Sequence, residues 1–342
     1  MSFSDKVEIP SLELTVITVT DEGNFDEHDD RPFVKDLLKK HSKTIKSVQK
    51  IIIADENIGK KLYNSEKHDD IWILRYVLTH KSKAKAAAKA ALKTIKFRDE
   101  MKLDEEYGDI RNRSMNYGWY REPDNGEPDV EPLPSWELYE SFCRKNACVV
   151  TQPDPDRGII VYCNVGLVDM NGMMESMTEE QMKHWIIFTN EAIYQVLDEV
   201  TRRTGRLTKI IKILDFANVS ILGFNRTYVK RDAAIGKATE DFFPQMLGTF
   251  CIANAPFWLS AFWKAVRPFF PRRFAEKVDF LPSNATKNLH KPMQRYVSEA
   301  NLVKQYGGKN GQWPPPSVSA SLMAEVSATK VLTDNGWSCV RW

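Results

Sequence analysis

The chain has 342 residues and a mass of 39.4 kDa, room for one large domain or two ordinary ones. With 42% hydrophobic and 27% charged residues it is globular in composition, and a core of that size needs no disulfides. Forty-eight basic against 46 acidic residues leave a charge of +2, which excludes a strongly basic nucleic-acid binder as the default class. Cys143, Cys148, Cys163, Cys251 and Cys339 are scattered and show no C-x-x-C spacing, so they read as reduced, mostly buried thiols. Met1 to Thr20 carries charges inside it and is not a secretory signal. No apolar run reaches the roughly 18 residues of a spanning helix. A cytoplasmic protein, peripheral on a membrane, is the simplest compartment.

Residues 1–30 read as a flexible lead-in, and residues 31–121 as a helical N-terminal lobe. A first helix is expected from Pro32, with Phe33, Val34, Leu37, Leu38, His41, Ile45 and Val48 in helical period. A second starts at Asp69-Asp70 and runs through Leu78. Ser82 is expected to cap a third, with Ala84, Ala87, Ala88, Ala91, Leu92 and Ile95 as a small-residue face. Lys81, Lys85, Lys89 and Lys93 stand four apart on its other side. That stripe is either a solvated face or a contact for anionic lipid.

Residues 122–134 hold four prolines and five acids, an extended linker and a domain boundary. Residues 135–312 form a second domain. Strands are expected at Ile159–Tyr162, Ile210–Leu214, Thr249–Ala253 and Lys277–Leu281. Thr178 with Gln181 is a capping box that opens a long helix closed by Gly205, and another helix covers roughly Asn225–Phe242. Strands alternating with helices make the fold class α/β, behind an all-helical lobe. Residues 313–342 form a C-terminal extension, a candidate contact for a protein partner.

The usual catalytic signals are missing from the sequence. There is no Gly-rich phosphate loop, dinucleotide fingerprint, G-x-S-x-G or H-E-x-x-H, and the six histidines are dispersed. No catalytic residue and no metal ligand is therefore assigned, and the chain is not expected to be an enzyme. The informative segment is Asn254 to Pro271. Phe257, Trp258, Leu259, Phe262, Trp263, Val266, Phe269 and Phe270 leave only Ser260, Lys264 and Arg267 as a narrow polar stripe. Such a helix is either an ordinary core helix or the wall of a pocket for an apolar ligand that also meets a membrane. It is too short to span a bilayer.

Several stretches, in order, resemble the CRAL-TRIO lipid-binding family, most closely its phosphatidylinositol/phosphatidylcholine transfer branch. Asp69-Asp70-Ile71-Trp72-Ile73-Leu74-Arg75-Tyr76 resembles the family's D-D-x-x-L-L-R-F helix, and Ile95-Lys96-Phe97-Arg98 its W-R end. Gly166 to Glu180 resembles the stretch after the first sheet strand, and Ile213-Leu214-Asp215-Phe216 a strand ending D-L/M-x-G. Phe243-Pro244 replaces Tyr-Pro, and Asn254-Ala255-Pro256-Phe257 is kept. Glu299 to Gly308 resembles the closing E-x-L-P-x-x-Y-G-G, with Val303 in place of proline.

The resemblance implies a helical lobe and a mixed sheet floor, with an apolar pocket between that floor and a gate helix, here Phe257 to Phe270. It implies a bound lipid or other hydrophobic ligand and no further cofactor. The family's lysine before Pro-Phe falls on Arg267 and its acidic reader on Ala234. Asp232 lies about 200° round the helix from Ala234 and is not expected to substitute. The hydroxyl readers of choline lipids fall on Ile210 and Lys212, next to Leu214, and a family tyrosine on Asn190, while Tyr162 keeps another. Lys212 either needs an anionic partner or points to the far face of the sheet. Three readings follow. The first is a monomeric carrier that exchanges a phospholipid between membranes, phosphatidylinositol among the candidates, docking through Trp258 and Trp263. The second is a carrier of a tocopherol, retinoid or sterol. The third is a scaffold on the same fold.

Overall fold

The computed structural model describes residues 29–106, 138, 141–143, 147–154, 156–217, 219, 225–239, 242–270, 272–281 and 297–311. The 122–134 linker, the 313–342 extension and all of the lead-in but its last two residues lie outside them.

The described part of the N-terminal lobe is helical: α1 Val34–Ile53, α2 Gly59–Leu62, α3 Asp70–Thr79, α4 Ala84–Glu100 and α5 Leu103–Glu106. α3 starts where the paired aspartates predict, because the Asp69 carboxylate accepts from Trp72 N at 2.9 Å and caps the first turn. Two expected starts differ. Pro32 and Phe33 stay extended because they pair with the chain at 205–207: Leu207 N donates to Pro32 O, and Arg206 lies 4.1 Å from the Phe33 ring. Ser82 closes α3 rather than opening α4, since its N–H donates to Val77 O and its φ is +61°. The alanine face of α4 is buried and its Lys85, Lys89 and Lys93 are exposed, but Lys81 lies before the helix in a turn at φ +51° and does not belong to the stripe.

The second part builds one five-stranded sheet in the order β1 Cys148–Thr151, β2 Ile160–Asn164, β3 Ile210–Asp215, β4 Leu247–Ala253 and β5 Val278–Phe280. β1 runs antiparallel to β2, and the other neighbours are parallel. Strand β1 is an addition to the four expected strands. The parallel strands are joined by helices: α6 Met170–Ser176 and α7 Glu179–Thr204 after β2, α8 Arg226–Thr239 after β3, and α9 Phe257–Val266 with α10 Arg272–Ala275 after β4. The Thr178–Gln181 capping box opens α7, and Gly205 ends it at φ +64°, a left-handed position that favours glycine.

α7 holds the two parts together. One side packs on the sheet through Ile187, Ile193, Val196 and Val200, among Val150, Val161 and Ile210. The other side meets α3 and α4 through buried charges. Glu191 accepts both guanidinium nitrogens of Arg98, at 2.8 and 2.9 Å. Asp198 accepts from Arg75 at 3.2 Å and from Arg202 at 2.6 Å, and Arg202 also bonds Asp69. Burial works against the charge of Asp198, but the two arginines outweigh it and hold its carboxyl below the usual range.

Removing one partner of such a pair strands the other charge. Glu191→Ala should lower the unfolding free energy by about 3–5 kcal/mol in a urea titration. A loss under about 1 kcal/mol would show that water or Asp104 compensates Arg98. His68 supplies a pH test. Its ring lies between Tyr63 and Trp72, and its Nδ1 accepts from Asn64 N at 3.0 Å. Burial, against the pull of Asp104, lowers its pKa from 6.5 to about 4. The unfolded chain therefore binds the extra proton first. The contribution of His68 to stability is complete above 6.5 and fades as pH falls toward about 4. Its size is on the order of 3 kcal/mol. Unfolding free energies measured between about pH 7 and pH 5 should slope less in His68→Gln than in the parent, and equal slopes would refute the assignment.

Candidate functional site

Register sorts the floor residues by face. Tyr162 aligns with Ile213 and Cys251, while Val161 aligns with Lys212 and Phe250. Side chains alternate along a strand, so these sets point to opposite sides. The Tyr162 side packs against the C-terminal segment through Val297, Leu302, Val303 and Tyr306, with the Tyr162 and Tyr306 rings stacked at 5.6 Å. Tyr162 is thus turned away from the helices and cannot touch the same ligand as Lys212. The opposite side carries Ile210, Lys212 and Leu214 and faces α7, α8 and α9. Lys212 therefore does not point to the far face. It sits half-buried beneath the helices, its Nζ 5.8 Å from the Phe250 ring centroid.

Three candidates on this side differ in role. Ile210 is fully packed among Val161, Phe242 and α7 residues, so it is core. Leu214 is half-buried against Val165, Phe216 and Phe250. Asn190 is half-buried on α7, one turn after Ile186.

Ala234 is not at the site. Arg226, Lys230, Ala234 and Lys237 form the exposed stripe of α8. Its inner side is Tyr228, Asp232 and Ile235, so the angle that separates Asp232 from Ala234 is what turns Asp232 toward the sheet. Burial raises the Asp232 carboxyl pKa, and Lys212 opposes that rise. Burial, then Asp232, keeps the Tyr228 hydroxyl protonated far above its ordinary range. The i, i+4, i+7 spacing of these three residues was the available signal for them. Beside them lie Cys148 and Cys163, a directly opposed pair in β1 and β2. A hydrogen bond between the two thiols, then burial, pushes the Cys163 pKa well up.

α9 covers this side lightly. Among its residues only Leu259 is buried, while Trp258, Phe262, Trp263 and Val266 are half-buried and Phe257 is 94% exposed. It is therefore not an ordinary core helix. The tryptophans fold against neighbours: Trp258 on Phe262, and Trp263 on Phe270, Phe274 and Phe280. Phe257, not either tryptophan, is the projecting aromatic. The helix does not run on to Phe270, because Pro268 has no N–H to continue it, and a 3-10 turn spans Arg267–Phe269. The Phe269 side chain lies outside the described residues. Arg267 is exposed at that turn and, with Pro268, Phe270, Arg272 and Ala275, lines a cleft of about 310 Å³.

One carboxylate anchors the start of α9. Asp215 Oδ1 accepts from Asn254 Nδ2 and Ala217 N, both at 2.8 Å, and its Oδ2 accepts from Tyr306 Oη at 2.9 Å. Asn254 stands at φ +47°, a left-handed conformation that asparagine tolerates. The C-terminal segment is equally tight: a Cβ on Gly308 would lie 1.8 Å from Leu302 O. Among the described residues no helix is long and apolar enough to cross a membrane.

Residues 144–308 match the CRAL/TRIO domain model. The SEC14 cytosolic factor of Kluyveromyces lactis is 25% identical over 259 residues, 75% of this chain and 74% of that protein. The SEC14 cytosolic factor of Eremothecium gossypii is 23% identical over 278 residues, 80% of this chain and 78% of that protein. Among solved structures, the crystal structure of Sfh5 aligns with a TM-score of 0.48 and 13% identity, over 88% of this chain and 98% of that one. Residues 144–308 are thus similar to the CRAL/TRIO domain, and the chain is similar, along most of its length, to the SEC14 cytosolic factors.

Proposed function

We propose that the protein is a lipid carrier that takes one phospholipid from a membrane, encloses its acyl chains beneath α9 and releases it at another. The observation that carries this reading is α9 itself. Ten residues, most of them apolar, lie over the helix-facing side of a CRAL/TRIO sheet with a single buried side chain and a projecting Phe257. Water tolerates that surface poorly, whereas a bilayer or an acyl chain covers it. Enclosure hides each methylene from water at about 0.8 kcal/mol. Exchange breaks no covalent bond and needs no catalytic group.

The parts divide the work. Phe257 enters the interface first. Leu259 is the buried contact that must release when α9 swings out. Asn254, held by Asp215, is the fixed point about which it turns. Arg267, beside its cleft at the far end of the helix, meets a phosphate at the mouth. The protein works in the cytoplasm and visits membranes peripherally.

Purified protein extracted with organic solvent should release about one phospholipid per chain by mass spectrometry, and it should move labelled phospholipid between donor and acceptor vesicles. A neutral isoprenoid or sterol in the extract would replace the phospholipid reading. An empty extract after incubation with vesicles would overturn the carrier reading. Phe257→Ser, at a site that packs on nothing, should leave the unfolding midpoint unchanged and lower partition onto vesicles by about tenfold or more. Unchanged partition would remove Phe257 from the docking surface.

A further inference from the structure

The helix-facing side of the sheet holds two opposite charges that face each other without bonding. Lys212 lies in the middle of β3, with Ile210 and Leu214 on either side and Val161 and Phe250 across the neighbouring strands. Asp232 faces it from α8. Neither side chain makes a hydrogen bond or ion pair with any described residue, and the ammonium lies 5.8 Å from the centroid of the Phe250 ring. Tyr228, one turn before Asp232, adds a hydroxyl that burial keeps protonated. Apolar residues of the sheet and of the helices over it, and the paired thiols of Cys148 and Cys163, lie near them.

Charges half withdrawn from water and left unpaired are unfavourable unless something answers them. A sterol or isoprenoid hydroxyl can answer one of the two at most. A head group answers both when it brings one anionic acceptor to Lys212 and one cationic donor to Asp232. The four charges then sum to zero, as a low-dielectric interior favours. A phosphodiester joined to a primary ammonium has this chemistry. An inositol or serine head leaves one negative charge uncompensated, and a trimethylammonium has no N–H to donate.

On the carrier reading above, we propose that Lys212 and Asp232 form a head-group site for a zwitterionic phospholipid with a primary ammonium, an ethanolamine phospholipid. Lys212 holds the phosphate oxygens. Asp232 takes the ammonium.

The test loads the full chain from vesicles containing equal amounts of choline, ethanolamine, inositol and serine phospholipids, then reisolates it and quantifies the bound lipid by mass spectrometry. The ethanolamine lipid should be enriched about tenfold over each of the others, as expected for one extra charge-assisted contact. Asp232→Asn should abolish the preference over choline lipid, and Asp232→Glu should restore part of it. Lys212→Met should lower the ethanolamine fraction, and Lys212→Arg should keep it. Unfolding midpoints identify any variant that fails to fold, and the preference of the parent chain decides the matter without variants. Lipid bound in proportion to the vesicle composition, or inositol lipid in excess, would overturn this site while leaving the carrier reading intact. No bound lipid would overturn both.

Discussion

The structure depends on the buried charges along α7. Glu191, Asp198 and Arg202 fall on one side of that helix and reach Arg98, Arg75 and Asp69 of the N-terminal lobe. The opposite side of the same helix is welded to the sheet by apolar packing. The two kinds of contact differ in what they fix. Apolar packing is tolerant of small shifts, whereas a bidentate guanidinium–carboxylate pair accepts one geometry. Such pairs contribute little net stability once desolvation is counted, but they make any other docking of the lobe expensive. α7 therefore acts as a shared beam, and the lobe and sheet floor form one frame.

Against that frame α9 is held differently. Among its residues Leu259 alone is buried, the rings of Trp258 and Phe262 pack beside it, and Asp215 pins the residue from which the helix departs. The same carboxylate receives Tyr306 from the C-terminal segment on the far face. A single side chain at the end of β3 thus ties the start of α9 to the floor and to the segment behind the floor. Displacing α9 costs the burial of a few side chains, while displacing the lobe breaks several buried ion pairs. On the carrier reading, that difference in cost directs motion to the helix.

Much of this was legible in the sequence where local chemistry decides local structure. Asp69 as a helix cap, the Thr178–Gln181 capping box and Gly205 as a stop all involve partners within four residues. The misreadings have long-range causes. Ser82 has the right chemistry for a cap but is held by Val77 of the preceding helix, and Pro32 is held extended by a strand-like contact about 175 residues away. β1 is four residues long and stands without a helical or alternating pattern, so only its pairing with β2 defines it. Within the site, the apolar run of α9 was readable from pattern, whereas Lys212 and Leu214 came from correspondence with a family and the face of Lys212 was left open. Tyr162 and Ala234 were placed by correspondence with a family, and register and helix phase turn both of them away. Asp232 was set aside for its angle from Ala234, and that angle is what brings it inside.

The charges of the site and the apolar character of its cover are connected. An interior lined only by leucine and phenylalanine would hold any acyl chain, and hold it in any register along the pocket. On the proposed head-group reading, an ammonium on the floor and a carboxylate on the facing helix give the ligand a polar address. On that reading they also disfavour the empty, closed state, in which two half-buried charges lie near each other unpaired. The apolar surface of α9 has the matching preference, since it is poorly served by water when the helix is open. Closed and empty is thus unfavourable at the floor, and open in water is unfavourable at the gate. On the proposed carrier reading, the two states left are closed on a lipid and open on a membrane, and a carrier alternates between those two.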